Sequence, residues 1–145
     1  MGDIAKDINS TFPSEKVKAM INIKYTAGWI ENKSTHVLKP FQISTQQYNI
    51  LRILRGAKEQ LAVQTVKDRM IEKSPNTTRL MDKLCAKKLI ERVRCENDRR
   101  VVYVKIAKPG LKMLEEINME DTEDLMGNLS EKELILLNSL LDKIR

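Results

Sequence analysis

The chain of 145 residues is short of the residue types on which most enzyme chemistry depends. It has one histidine, His36, and two cysteines, Cys85 and Cys95. These three cannot supply the four ligands of a Cys/His zinc site. The cysteines stand ten positions apart, so there is no Cys-x-x-Cys redox pair. A bridge between them is geometrically open, but a chain without an export signal keeps its thiols in a reducing compartment. Glycine is scarce, at five residues, and no Gly-x-Gly-x-x-Gly, Walker or Gly-x-Ser-x-Gly pattern occurs. Nothing is left to cradle a phosphate or present a serine nucleophile. No apolar run nears the ~20 residues of a membrane span. The opening residues, MGDIAKDINSTFPSEK, lack the basic start and apolar centre of a signal peptide. These absences lead us to expect a cytoplasmic protein with no membrane association, no metal, no cofactor and no catalytic constellation.

What the chain does have is apolar residues, at 41%, and charge, at 32%, a balance that folds rather than staying disordered. A chain of this length buries roughly 68–70% of its unfolded surface, enough for a real core. The net charge of +6 is unevenly spread. Residues 1–39 hold 6 Lys/Arg and 4 Asp/Glu, residues 40–108 hold 16 and 7, and residues 109–145 hold 4 and 9. A basic middle between a near-neutral start and an acidic end suggests a polyanionic partner. A solvated basic surface is the alternative reading of the same charge.

Apolar periodicity outlines the elements. Ser14 with Glu15 can open a helix over 14–35, in which Val17, Met20, Ile21, Tyr25 and Trp29 fall at helical spacing. His36 to Phe41, with Pro40, breaks the pattern. Ser44 and Gln47 fit a capping box for a second helix ended by Gly56, its buried face being Tyr48, Leu51 and Leu54. A third helix covers 62–73, with Val63, Val66 and Met70 inward. Ser74-Pro75 signals a fourth, over 75–88, with Leu80, Leu84 and Cys85 inward. The period then changes from 3.6 to 2 in 89–95 and 101–106, around the polar turn Glu96 to Arg100, which predicts a β-hairpin. Pro109-Gly110 leads into a fifth helix carrying Leu111, Leu114 and Ile117. An acidic stretch, Glu120 to Asp124, precedes a second capping-box pair, Ser130 and Glu133. The last helix carries seven large aliphatics between Leu134 and Ile144 and is expected to be buried on more than one side.

Three helices followed by a hairpin make a winged helix-turn-helix. With long helices at both ends, the chain resembles the MarR family of dimeric bacterial transcription regulators. The segment ISTQQYNILRIL, 43–54, looks like that family's second helix. The segment SPNTTRLMDKLCAKKLIER, 74–92, looks like its recognition helix running into the wing. Asp98-Arg99-Arg100 followed by VVYVKIAKPG looks like the wing tip and second wing strand. The likeness extends from about residue 10 to the C-terminus. Two positions depart from it. Lys88 stands where the family has a glycine ending the recognition helix, so that helix is free to end differently here. Ala107 replaces a threonine that would cap the fifth helix. The cysteines do not match the N-terminal sensing cysteine of the peroxide-responsive branch.

The resemblance implies a mainly α fold with a small β-hairpin wing. Residues 1–39 and 109–145 form the dimerisation regions and residues 40–108 the DNA-binding domain. It makes Arg79 a base-contacting residue, with Asn76, Thr77, Thr78 and Lys83 beside it, and sends Arg99 into a minor groove. On the residues alone, Arg79 is equally a phosphate contact or a partner of Asp82, Thr78 an inward residue, and Arg99 a solvated charge. Asp98 and Arg100 are expected to fix the wing by pairing. Tyr25, Trp29, His36 and Phe41 form a candidate pocket for a small aromatic ligand, or else dimer core. The implied function is a homodimeric, sequence-specific regulator of double-stranded DNA with a pseudo-palindromic operator, a repressor released by a small ligand. The alternative is a winged-helix protein–protein adaptor that never binds DNA.

Overall fold

The structure, a computed structural model, describes residues 2–120 and 124–145. The chain divides into two compact units, Thr35–Met119 and Met1–Ser34 with Glu120–Arg145. In order, the elements are α1 (Ile4–Asp7), α2 (Glu15–Leu38), a 3-10 turn (Lys39–Phe41), α3 (Thr45–Ala57), β1 (Leu61–Ala62), α4 (Val63–Arg69), α5 (Thr77–Ala86), β2 (Ile90–Arg94), β3 (Val102–Ile106), α6 (Lys108–Glu116), a second 3-10 turn (Asp124–Met126) and α7 (Glu131–Ile144). This is the mainly helical winged helix-turn-helix that the sequence predicts. Residues 121–123 of the acidic stretch lie outside the described residues.

Short polar side chains start the helices where the sequence places them. The Ser14 hydroxyl oxygen accepts the Val17 N–H at 3.3 Å. At α3 the capping box is complete: Ser44 Oγ accepts the Gln47 N–H at 3.1 Å, and Gln47 Oε1 accepts the Ser44 N–H at 3.0 Å. At α7 the Glu133 carboxylate accepts from the Ser130 N–H at 2.8 Å and its hydroxyl at 2.7 Å. Those bonds hold the carboxyl below its ordinary range, because they favour the charged form.

In the unit 35–119 one apolar cluster runs from Leu38 through Ile50, Leu51, Leu54, Val66, Met81, Leu84, Ile90 and Val104 to Leu114 and Ile117. It joins α3, α5, α6 and the sheet. The sheet is antiparallel, ordered β1-β3-β2, with Val93 opposite Tyr103 and Leu61 opposite Val104. Strand β1 was not expected, because two residues carry no readable period. It gives the hairpin a third strand and ties the wing to the start of α4.

Several boundaries differ from the periodicity. Helix α2 continues through His36 to Leu38, and Gly56 lies inside α3, whose cap is Lys58 in the left-handed region at φ 57°. Helix α4 stops at Arg69, not 73, and α5 starts at Thr77, not 75. Ser74 closes a separate turn first: its hydroxyl oxygen accepts the Asn76 N–H at 3.2 Å, and its carbonyl accepts the Thr77 hydroxyl at 2.8 Å.

The two departures from the family pattern resolve in opposite ways. Lys88 adopts φ 59°. Its N–H bonds the Cys85 carbonyl at 2.9 Å, and the Leu89 N–H bonds the Leu84 carbonyl at 3.0 Å. That is the Schellman ending a glycine would make, closed by Leu84 and Leu89, both buried. The helix does not end differently. The left-handed lysine costs roughly 1 kcal/mol, which the apolar closure offsets. At α6, Ala107 makes no side-chain cap, as its chemistry requires. Its N–H instead bonds the Leu89 carbonyl at 3.0 Å. Gly110 is not a break but part of the first turn of α6. A Cβ there would lie 2.3 Å from the Leu89 carbonyl oxygen, so only glycine permits this approach.

In the other unit, only Ile4 among the described hydrophobic residues is buried. Helix α7 has no buried residue within one chain. Leu136, Leu140 and Ile144 are 58%, 50% and 70% exposed. The expected burial of α7 on more than one side is therefore not met among the described residues. A face of this kind on α2 and α7 borders a cleft of about 390 Å³ lined by Ile23, Ala27, Ile30, Met126, Leu137 and Leu141.

Candidate nucleic-acid interface

Helix α5 is amphipathic, and its inner face is set by Thr77, Met81 and Leu84. The opposite face therefore carries Thr78, Arg79, Asp82 and Lys83 into solvent, with Asn76 exposed just before it. Arg79 and Lys83 have no ion-pair partner among the described residues. Their charge is available to an outside anion. Thr77 must be removed from the expected contact set. It is 1% exposed, and its hydroxyl is spent on the Ser74 carbonyl, so it builds the helix start rather than meeting a ligand. Thr78, the alternative inward residue, is the exposed one of the two.

The turn ahead of α5 is held from α3. Asn49 Oδ1 accepts the Ile71 N–H at 3.0 Å, and Gln46 Nε2 donates to the Glu72 carboxylate at 2.8 Å. These bonds span more than twenty residues of sequence, and no pattern within α3 announces them.

The wing is fixed differently from the expected Asp98–Arg100 pair. The Asp98 carboxylate accepts the Arg100 backbone N–H at 2.9 Å, and its carbonyl accepts the Val101 N–H at 3.1 Å. This is an Asx turn, which shapes the backbone and leaves the Arg100 guanidinium free of that carboxylate. Arg99 is exposed at the tip, beside Arg94. Arg100 joins Gln64, Thr78 and Arg92 around a cleft of about 420 Å³ between the start of α4, α5 and the wing. Gln64 and Arg92 were not singled out from the sequence. Their place depends on how α4 and β2 meet α5, which local pattern does not encode. Arg92 forms an ion pair with Asp82, so Asp82 is not the partner of Arg79. The pair ties the recognition helix to the first wing strand.

Both cysteines are free. Cys85 lies under this pair, and burial pushes its thiol up, against a smaller opposing pull from Arg92. A raised thiol is a poor nucleophile at neutral pH. The remaining expected residues lie elsewhere. Tyr25 and Trp29 are exposed on α2, His36 is exposed in its last turn, and Phe41 packs against the core of 35–119.

A polar, basic helix presented after a short anchored turn, with an arginine-tipped hairpin beside it, defines a winged-helix DNA-binding domain. Residues 33–117 match the family model described as transcriptional regulator SarA/Rot. A MarR transcription factor from Planctomyces limnophilus is 31% identical, over 91% of this chain and 98% of that one, with a TM-score of 0.71. A mutant MarR from E. coli, crystallised with operator DNA, is 26% identical over 99% of both chains, with a TM-score of 0.73. NadR, in complex with 4-hydroxyphenylacetate, shares the fold at 23% identity, covering 92% of this chain and 96% of that one, with a TM-score of 0.71. The chain belongs to the MarR/SarA family of winged-helix transcriptional regulators. It is a DNA-binding regulator and not an enzyme. No helix among the described residues is long and apolar enough to cross a membrane.

Proposed function

We propose that the protein is a homodimeric repressor that acts in the cytoplasm on a pseudo-palindromic operator and is released by a small aromatic ligand. The observation that carries this reading is the outer face of α5. Thr78, Arg79 and Lys83 face solvent together, with Asn76 before them and Arg99 on the wing. An adaptor would instead present an apolar patch there. Arg79 reads a base in the major groove, Asn76, Thr78 and Lys83 hold phosphates or base edges, and Arg99 enters the flanking minor groove. Arg100 supplies a further donor to the backbone, while Arg92 stays paired with Asp82 and Gln64 donates to Asp68. Dimerisation through α2, α6 and α7 covers the exposed aliphatics and sets the spacing of two such heads. Steric occupation of the promoter follows from that geometry.

The ligand half of the reading rests on the ring-bearing residues Tyr25, Trp29, His36 and Phe41, and on NadR, which binds 4-hydroxyphenylacetate. A ligand favouring another spacing of the heads shifts the dimer off DNA.

The test is selection of bound duplex from a random pool, followed by titration at several salt concentrations. Affinity falls steeply with salt if phosphates are neutralised. Arg79→Ala relaxes the preference at one position per half-site, whereas Arg99→Ala weakens binding with less change in the preferred bases. A protein that selects no duplex, or an Arg79→Ala variant that binds like the parent, overturns the assignment of α5.

A further inference from the structure

On helix α2 two aromatic rings, Tyr25 and Trp29, stand one helical turn apart. Tyr25 and Trp29 are 45% and 43% exposed, unusual for rings of this size. They share a cleft of about 280 Å³ with Thr26 and with Asp7, the last residue of α1. The Asp7 carboxylate has no cationic partner among the described residues. Elsewhere in the protein a partly buried ring is covered by the chain's own cation: the Arg52 guanidinium lies 5.7 Å from the Tyr48 ring centre. Among the described residues no such contact covers Tyr25 or Trp29, although lysines occur on the same helix at 24 and 33.

The unit that contains this cleft is acidic. Residues 1–34 and 120–145 hold 8 Lys/Arg and 11 Asp/Glu, whereas residues 35–119 hold 18 and 9. Ring faces carry the negative end of the aromatic quadrupole, so two rings beside a carboxylate attract a cation and repel an acid. We propose that the Asp7–Tyr25–Trp29 cleft binds an organic cation, an aryl or alkyl quaternary ammonium group in contact with the rings. This deepens the ligand half of the proposed function and rests on it only for any effect on DNA. It assigns the ligand's charge, opposite to that of a benzoate and of the 4-hydroxyphenylacetate in NadR, which supports the ligand's aromatic character alone.

The experiment uses the full-length protein without DNA and reads fluorescence from Trp29, the only tryptophan. Benzyltrimethylammonium is titrated to about 10 mM, a range that covers weak single-site binding, with benzoate as the anionic comparator. Saturable quenching is expected with the cation and not with benzoate. Asp7→Asn, which keeps the shape and removes the charge, should weaken the cation by about threefold to tenfold, and Tyr25→Leu by a similar factor. Circular dichroism confirms that both variants fold. Equal response to benzoate, unchanged affinity in Asp7→Asn, or no saturable change with the cation overturns the proposal. Operator binding, measured separately with and without the cation, tests ligand release and has no bearing on whether the cleft binds a cation.

Discussion

The two units solve the same physical problem in different ways. Residues 35–119 bury their apolar residues against one another and leave a basic skin. The other unit has more exposed aliphatics than buried ones, and its net charge is negative. The first has what a self-sufficient domain needs: a continuous core and paired strands. The second has helices that are well started and well patterned but have little within the chain to pack on. A basic domain with a closed core is suited to holding a fixed surface against a polyanion. Helices with open apolar faces are suited to meeting another copy. The lesson is that amphipathicity alone does not say where a face is buried; the number of elements available to cover it does.

The sharpest way to break the contrast is to open the self-sufficient unit. Gly110→Ala drives a Cβ into the Leu89 carbonyl, and backbone must move on both sides. A loss of about 3 kcal/mol is expected in urea denaturation, since neither partner is a flexible side chain. A variant as stable as the parent shows that α6 does not rely on this approach.

Next in size, Leu140→Glu places a charge on the exposed face of α7. A protomer that needs no burial there tolerates it, whereas a dimer interface loses about 2 kcal/mol or more. Sedimentation equilibrium should show dissociation to a folded monomer, with operator affinity falling in step. A parent that is itself monomeric at micromolar concentration removes the paired-head model.

Arg79→Ala should cost about 1–3 kcal/mol of operator affinity and leave the denaturation midpoint nearly unchanged. Affinity and stability move apart only if Arg79 serves the ligand rather than the core. The smallest effects sharpen the account of the scaffold. Lys88→Gly should stabilise by about 1 kcal/mol, because the left-handed Schellman position is already formed and glycine relieves its cost. Ala107→Thr should add about 0.5–1 kcal/mol by capping α6. A destabilised Lys88→Gly would show that the lysine's apolar stem, not the backbone geometry, matters at that corner.

Much was determined by the sequence alone. The capping serines at 14, 44 and 130 act locally, through bonds to residues three positions on, so their spacing can be read directly. The change of period after Leu89 marks the hairpin for the same reason: alternation is a property of one strand and its two faces. The basic middle and the Arg79 and Arg99 positions also follow from order along the chain. What the tertiary structure decided are the matters that depend on partners far away in sequence. Thr77 and Thr78 are chemically identical neighbours, and only the packing of α5 on α3 buries one and exposes the other. Asp82 chooses Arg92 over Arg79 because β2 returns beside α5. Asp98 bonds a backbone N–H where a charged side chain was expected. Strand β1 exists because β3 offers it an edge, since two residues cannot form a strand by themselves. The turn before α5 is anchored by Asn49, which sits in a helix and has nothing in its neighbourhood to announce the bond. Local hydrogen bonds and periods are written in adjacent residues. Burial, ion-pair choice and strand pairing are settled only when distant segments compete for the same space.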